Sequence, residues 1–332
     1  MHVSRFNHNM RFHSDELNFT IPVVLYTGTI EYRTKRIGTF MSIAVVPVAG
    51  LGTRLLPLTK SKPKEMLAVG RKPVVHHIVE ELIENGVDQI LFITGASKTS
   101  IENYFDLNES LVSMLRERGK EDALAELQLD YVPVKYYFTR QRQLLGLGHA
   151  VQCASDFTSG QPFVVALGDS IIKGGDSKLL SRMQACFDEN ECAAVIAFET
   201  VPREEVYRYG IAAPKSEGDV FELADIVEKP TVEDAPSQLA VAARYIFNPI
   251  IFEALQRTQP GAGGEIQLTD AVRLLIEDGH RVYGVRLTDE ERRFDIGSYP
   301  SYYRAFIEFA LADPTYGEDL HKYVSDLLKG ES

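Results

Sequence analysis

Cysteine is scarce in this chain: 332 residues contain only Cys153, Cys186 and Cys192. None stands at metal-ligand spacing and no C-x-x-C occurs, which excludes a thiolate metal knuckle and a dithiol redox motif. So sparse and odd a count also excludes a disulfide scaffold. It fits free, buried thiols in a reducing cytoplasm. No apolar run reaches the roughly 18 residues that a membrane-spanning helix needs. The nearest stretch, Phe19–Ile30, is interrupted by Thr20, Pro22, Thr27 and Gly28, and no small-residue cleavage site follows it. Positive charge is in deficit, with a formal net charge of −12. A surface of that sign repels a phosphate backbone, so nucleic acid is excluded as a partner. A small phosphorylated substrate is not, because a local cluster of Lys and Arg still binds one.

What is present is globular: 45% hydrophobic and 25% charged residues. The length suits one large α/β domain or two intimately joined halves. Residues 1–40 carry three of the eight histidines and little periodicity. They read as an extension outside the folded domain, disordered or preceding the true start at Met41.

From Ile43 the pattern alternates. Apolar runs at Ile43–Val48, Gln89–Thr94, Tyr136–Thr139, Phe163–Leu167 and Ala193–Thr200 predict buried strands. Helices are expected at Val74–Asn85 (with Gly86 as its stop), Lys98–Phe105, within 107–128, and at Gly148–Ser155. Continuous apolar strands between helices indicate a Rossmann-like, mostly parallel but mixed sheet flanked by helices. The nucleotide-binding half covers about 41–200. Beyond it, Tyr209–Pro214, Leu223–Val227 and Leu239–Phe247 predict antiparallel or mixed strands in a smaller second half, about 201–332. Helices follow at Pro249–Arg257 and Leu268–Asp278, with Thr269 or Asp270 as a candidate N-cap. A late strand at Arg281–Val285 precedes two closing helices at Tyr299–Leu311 and Glu318–Leu328.

The first strand runs into Ala49-Gly50-Leu51-Gly52-Thr53-Arg54. Two glycines let the backbone approach a ligand and aim N–H groups at anionic oxygens. Arg54 adds a forked donor suited to phosphate. A dinucleotide-binding loop needs a third glycine where Leu55 stands and an acidic residue ending the second strand, so a nicotinamide dehydrogenase is excluded. The ATPase loop lacks its Gly-Lys-Ser/Thr. Arg54, Lys60, Lys62 and Lys64 fall close together on a chain of negative charge, and such a cluster needs an anion.

Gly50-Leu51-Gly52-Thr53-Arg54 followed by Pro63-Lys64-Glu65-Met66 resembles the signature of the sugar-phosphate nucleotidyltransferases. The bacterial UTP–glucose-1-phosphate uridylyltransferases are the most similar branch, over about 43–328. Further matches are Gln141, Gly146-Leu147-Gly148-His149-Ala150-Val151, Gly168-Asp169, Tyr209-Gly210, Val227-Glu228-Lys229-Pro230, Arg244-Tyr245, and the run from Gly261 to Asp270. The resemblance implies condensation of UTP with glucose 1-phosphate to UDP-glucose and pyrophosphate, with Mg²⁺ as cofactor and a homodimer or homotetramer as the assembly. It implies no membrane or nucleic-acid partner.

The nucleophile in such a reaction is already a phosphate anion, so no general base is required. The site must instead hold two repelling anions together and neutralise developing charge. The resemblance assigns Asp169, just past a buried strand, and Asp295, in Phe294-Asp295-Ile296-Gly297, to the metal. Arg54 and Lys64 are assigned to the triphosphate and the leaving pyrophosphate, and Lys229 to the sugar phosphate. Glu228 and the backbone of Gly210 are assigned to the glucose hydroxyls. Gln141 is assigned to the uracil edge, beside Gly146 and Gly148. Ala49, Gly50, Gly52, Thr53 and Glu65 complete the nucleotide-binding set. His149 is read as structural. Departures from the family pattern include Ala68, Arg71, His76-His77, Arg142, Ser170 and Ala243, the last replacing a glycine common in relatives. The same fold acting on another nucleotide, such as dTTP, or another sugar 1-phosphate is the first rival. A non-catalytic regulatory paralogue is the second, opposed by intact Arg54, Lys64, Asp169 and Lys229.

Overall fold

The computed structural model describes residues 19–24, 30–35, 41–96, 98–127, 132–174 and 178–330. The chain forms two units, Met1–Phe40 and Met41–Ser332. In the first, β1 (Phe19–Val24) pairs antiparallel with β2 (Ile30–Lys35). The rest of the predicted extension lies outside the described residues.

The second unit opens with β3 (Ile43–Pro47), whose five residues are almost wholly shielded from solvent. A short hairpin of β4 (Ala68–Val69) and β5 (Lys72–Pro73) leads into α1 (Val74–Glu84). Val74, Val75, Ile78, Val79 and Leu82 bury one face of α1, and Gly86 stops it in a left-handed conformation at φ 89°. β6 (Gln89–Thr94) follows, then α2 (Thr99–Phe105), α3 (Glu109–Glu117) and α4 (Glu121–Ala125). Asn108 caps α3 by accepting from Leu111 N at 3.0 Å. After β7 (Lys135–Arg140), the predicted helix at 148–155 is two pieces, α5 (Leu147–Gln152) and α6 (Ser155–Thr158). β8 (Phe163–Ala166) and β9 (Ser170–Lys173) come next. The helix α7 (Leu179–Asn190), which buries Leu179, Leu180, Met183 and Cys186, was not among the expected elements.

The chain continues with β10 (Ala194–Thr200), β11 (Gly210–Pro214), β12 (Val220–Glu228) and β13 (Leu239–Phe247). Helices α8 (Ile251–Arg257) and α9 (Leu268–Glu277) precede β14 (Val282–Arg286) and β15 (Arg292–Asp295). α10 (Tyr299–Leu311) and α11 (Gly317–Lys329) end the unit. The N-cap of α9 is Gln267, and no side chain caps the helix, so neither Thr269 nor Asp270 has that role.

One nine-stranded sheet orders these strands β10-β14-β12-β11-β13-β8-β3-β6-β7. It is parallel through β8, β3, β6 and β7. β13 then joins antiparallel to β8, in register Tyr245↔Val165, and also pairs with β10 and β11. β10 therefore lies between β13 and β14, and not among the first parallel strands. β13 takes this central place because eight of its nine residues are buried. One apolar cluster, including Val45, Leu91, Val165, Ile196 and Phe247, joins strands of both halves. Among the described residues no helix is long and apolar enough to cross a membrane.

Candidate active site

β3 and β8 are neighbours, so the loops leaving their carboxyl ends meet, as ligand-binding loops do in open parallel sheets. Gly168 allows the approach: a Cβ there would fall 2.5 Å from Val48 Cγ1 and 3.2 Å from Pro47 O. Gly52 holds φ 65°, the left-handed turn that a glycine takes at least cost, and starts the single 3-10 turn Thr53–Leu55. Thr59 Oγ1 donates to Gly52 O at 2.8 Å and pins the turn from outside. Arg54 and Thr53 are exposed, and Ala49 is buried beneath them.

Lys64 begins a second 3-10 turn and reaches back over the glycine loop. A Cβ on Gly50 would sit 3.6 Å from its Cε. Its ammonium pairs with Asp169. Burial opposes the Lys64 charge, but the carboxylates of Asp169 and Glu65 outweigh it and raise its pKa above the ordinary lysine value. Burial likewise pushes the Asp169 carboxyl up, and Lys64 overcomes this and holds it below the ordinary carboxylate range.

Asp295 arrives from the other end of the chain. β15 pairs antiparallel with β9, setting Asp295 opposite Ser170, and Ile296 N donates to Asp169 O at 2.9 Å. Burial and then the adjacent Asp169 push the Asp295 carboxyl up, against the pull of Arg293, Lys64 and Arg54. The structure thus gathers Arg54, Lys64, Asp169 and Asp295 into one electrostatic cluster. Two hard carboxylates side by side are a donor set that Mg²⁺ accepts, since it fills its other positions with water and phosphate oxygen. Among the described residues no group of three or more His, Cys, Asp or Glu is arranged to enclose a metal.

Several of the residues that build this cluster were not legible as site residues. Lys98, only 4% exposed, donates from Nζ to Gly50 O at 2.7 Å and to Glu65 Oε2 at 2.8 Å. The Glu65 carboxylate is therefore engaged inside the protein, where burial raises its pKa, and Lys98 links it to the glycine loop. Arg244 is fully buried. Its guanidinium donates to Glu81 Oε2 at 2.6 Å and to Ser170 O at 3.0 Å, tying α1 and β13 to the segment that carries Asp169. Arg293, two residues before Asp295, donates to Glu199 Oε1 at 2.5 Å. The sequence signal was weak in each case: a single charge in an otherwise apolar or turn segment, with its partner far along the chain.

Gln141 follows β7 and is buried. Its amide nitrogen donates to Gly146 O at 2.9 Å and meets His149 Nδ1 at 3.0 Å, which gives His149 the structural part expected of it. Gly146 and Gly148 are required by the chain itself, since a Cβ on either would fall within 2.8 Å of Ile266 O. The Glu265-Ile266 segment thus closes this turn.

A second group stands at the end of β12. Gly210 lies opposite Glu228 in the β11–β12 register, and a Cβ on Gly210 would fall 2.8 Å from Thr269 Oγ1. Lys229 Nζ pairs with Glu228 Oε1 at 2.9 Å. The Lys229 backbone is in the left-handed region, φ 46°, held by its N–H donating to Tyr209 O at 2.9 Å. Asp270, at the start of α9, has its carboxyl pushed up by burial and then by the charge of Glu228.

The family model for nucleotidyl transferases matches residues 43–310. The UTP–glucose-1-phosphate uridylyltransferase of Bacillus subtilis (strain 168) is 40% identical over 289 residues, covering 87% of this chain and 97% of that one. Its counterpart from Streptococcus pneumoniae serotype 4 is 42% identical over 290 residues, covering 86% and 96%. Among solved structures, the UTP-bound UGPase from Acinetobacter baumannii is 39% identical, with a TM-score of 0.79 over 86% of this chain and 99% of that one. A UDP-glucose pyrophosphorylase complexed with UDP-glucose is 36% identical, with a TM-score of 0.74 over 82% and 100%. With its glycine loop, its lysine and its paired aspartates within the matched span, the chain is an enzyme and belongs to the nucleotidyl transferase family.

Proposed function

We propose that this enzyme joins UTP and glucose 1-phosphate into UDP-glucose and pyrophosphate. The observation that carries the reading is the cluster of Arg54, Lys64, Asp169 and Asp295 at the carboxyl end of β3 and β8, opposite a second group of Gly210, Glu228 and Lys229. Similar proteins named for UTP and glucose 1-phosphate, and one solved with UDP-glucose, support these substrates over other pairs.

Arg54 and Lys64 hold the triphosphate on the N–H groups of the glycine loop. Lys229 binds the phosphate of glucose 1-phosphate, while Glu228 and the Gly210 backbone take the sugar hydroxyls. An oxygen of that phosphate attacks the α-phosphorus of UTP. The bond from the α-phosphorus to the bridging oxygen breaks, and pyrophosphate leaves with its electrons. No proton moves in the bond-making step, so the enzyme's contribution is placement and charge neutralisation. Asp169 and Asp295 would hold Mg²⁺, which would supply further neutralisation of charge when bound. Gln141, its amide fixed by Gly146 and His149, turns to the uracil edge.

The test is pyrophosphate release from UTP plus glucose 1-phosphate with Mg²⁺, beside Asp169→Ala and a panel of dTTP and other sugar 1-phosphates. Turnover with the named pair that Asp169→Ala removes is the expected result. Turnover confined to another pair sinks the substrate assignment. No turnover with any pair from folded protein sinks the catalytic reading.

A further inference from the structure

Arg293 joins the carboxylate cluster to the sugar-phosphate group through one aromatic ring. Its side chain is only 8% exposed and pairs with Glu199. On β15 it lies opposite Ile172, two residues from Asp295. Its charge acts on both carboxylates of the cluster. The guanidinium carbon stands 5.0 Å from the centroid of the Tyr209 ring, and Arg208 lies over the same ring at 5.3 Å. A cation stacked on an aromatic face away from water is held firmly. The backbone carbonyl of this tyrosine accepts the N–H of Lys229 at 2.9 Å. That bond matters because Lys229 is a non-glycine residue at φ 46°, a conformation that persists only where its surroundings impose it.

We propose that Arg293 and Tyr209 are positioning residues for glucose 1-phosphate: the stacked pair fixes the Tyr209 carbonyl, and that carbonyl holds Lys229 in the conformation that presents its ammonium to the sugar phosphate. The inference rests on the functional reading above and assigns these residues a part which neither touches substrate. Arg293 is anchored beside Asp169 and Asp295, so the same pair sets the spacing between the metal-binding and sugar-phosphate groups.

The experiment is steady-state kinetics of Tyr209→Leu, Tyr209→Phe and Arg293→Lys, with UTP and glucose 1-phosphate varied in turn and thermal melting recorded for each. Calorimetric titration with UTP and with UDP-glucose runs beside it. Tyr209→Leu should raise KM for glucose 1-phosphate about tenfold, the loss of one desolvated cation–π contact, with KM for UTP nearly unchanged. In the titration, UDP-glucose should weaken and UTP should not. Tyr209→Phe keeps the ring face and should restore the parental KM. Arg293→Lys should repeat the split, because an ammonium cannot pair with Glu199 and stack flat on the ring as a guanidinium does. If Arg293→Lys melts early, Tyr209→Leu, at a half-buried position, carries the test. A parallel rise in both KM values, or no rise in either, overturns the proposal even if the parent enzyme is fully active. A parent that turns over no sugar 1-phosphate overturns the functional reading, and this inference with it.

Discussion

Lys64 and Lys229 are both assigned to phosphate, yet the protein holds them by different means. The Lys64 side chain is 16% exposed and is set among Asp169, Glu65 and Asp295 on loops from two central strands. Lys229 is 46% exposed, on a strained residue at the end of β12, with Glu228 as its partner. Buried ion pairs back the first region: Lys98 with Glu65 and Arg244 with Glu81. Backbone register backs the second. A prebuilt, charged cluster therefore contrasts with a group that is set by strand pairing and one carbonyl. Binding energy spent before the transition state lowers KM, whereas groups that meet developing charge raise kcat. The contrast thus predicts different kinetic parts for two residues of the same type.

The largest expected effect tests that directly. Lys64→Met should lower kcat by about a thousandfold, as removal of a buried donor to developing charge does. Lys229→Met should act mainly on KM for glucose 1-phosphate, raising it by about tenfold or more. Equal kcat losses in the two variants would erase the distinction.

Next is the bracing itself. Arg244→Met leaves the Glu81 carboxylate without its guanidinium partner, and should cost about 3–5 kcal/mol in denaturant unfolding. Glu81→Leu together with Arg244→Met removes both charges and should recover most of the loss. A single variant that unfolds at the parental midpoint would show that the pair does not brace the nucleotide half.

The same half should carry a pH response. Burial pushes the His77 imidazole down to about 4, from an ordinary 6.5, so the fold keeps it neutral. The unfolded chain takes up that proton as pH falls from about 6.5 to about 4, and stability is lost across this window. The loss is at most about 3 kcal/mol. Burial would raise the Glu80 carboxyl, but hydrogen bonds from His76 and Lys72 overcome it and bring it down to about 2. Its contribution is present above about 4.5 and disappears as pH falls toward 2. His77→Gln should flatten the upper part of the stability profile and leave the lower part intact. An unchanged slope between pH 6.5 and 4 would refute the assignment.

The two halves also differed in how much could be read in advance. Strands β3, β6 and β8 were legible as apolar runs, and α1 as a 3.6-residue period with a glycine stop, because burial imprints itself on local sequence. Arg54 and Lys64 stood out as a local concentration of positive charge, whereas Asp169 and Asp295 were legible through the family resemblance. The partners of that cluster were not. Arg244 meets Glu81 across 163 positions, and Arg293 meets Glu199 across 94. Such pairs leave no periodicity behind, and only the topology that threads β13 between β8 and β11 brings them together. The β9–β15 pairing that sets Asp295 opposite Ser170, next to Asp169, was hidden for the same reason. Gly146 and Gly148 show the converse. Their glycines were legible, but the neighbour that requires them, Ile266, was not.

The smallest effect concerns β13, the strand on which both halves lean. Ala243 holds φ 61°, and its carbonyl accepts from Leu167 N at 3.1 Å and from Arg244 Nη1 at 3.0 Å. Relief of left-handed strain is worth about 1–2 kcal/mol to Ala243→Gly. Against it stand about 0.8 kcal/mol for the lost buried methyl and about 0.5–1 kcal/mol for the freer unfolded chain. These nearly cancel, so Ala243→Gly should unfold within about 0.5 kcal/mol of the parent. At Ala242, buried in the same strand without a positive φ, the strain term is missing and only the costs remain. Ala242→Gly should therefore lose about 1.5 kcal/mol. Equal losses at the two positions would mean that the turn of chain before Arg244 carries no strain, and that the geometry around Ser170 O and Leu167 N is reached without cost.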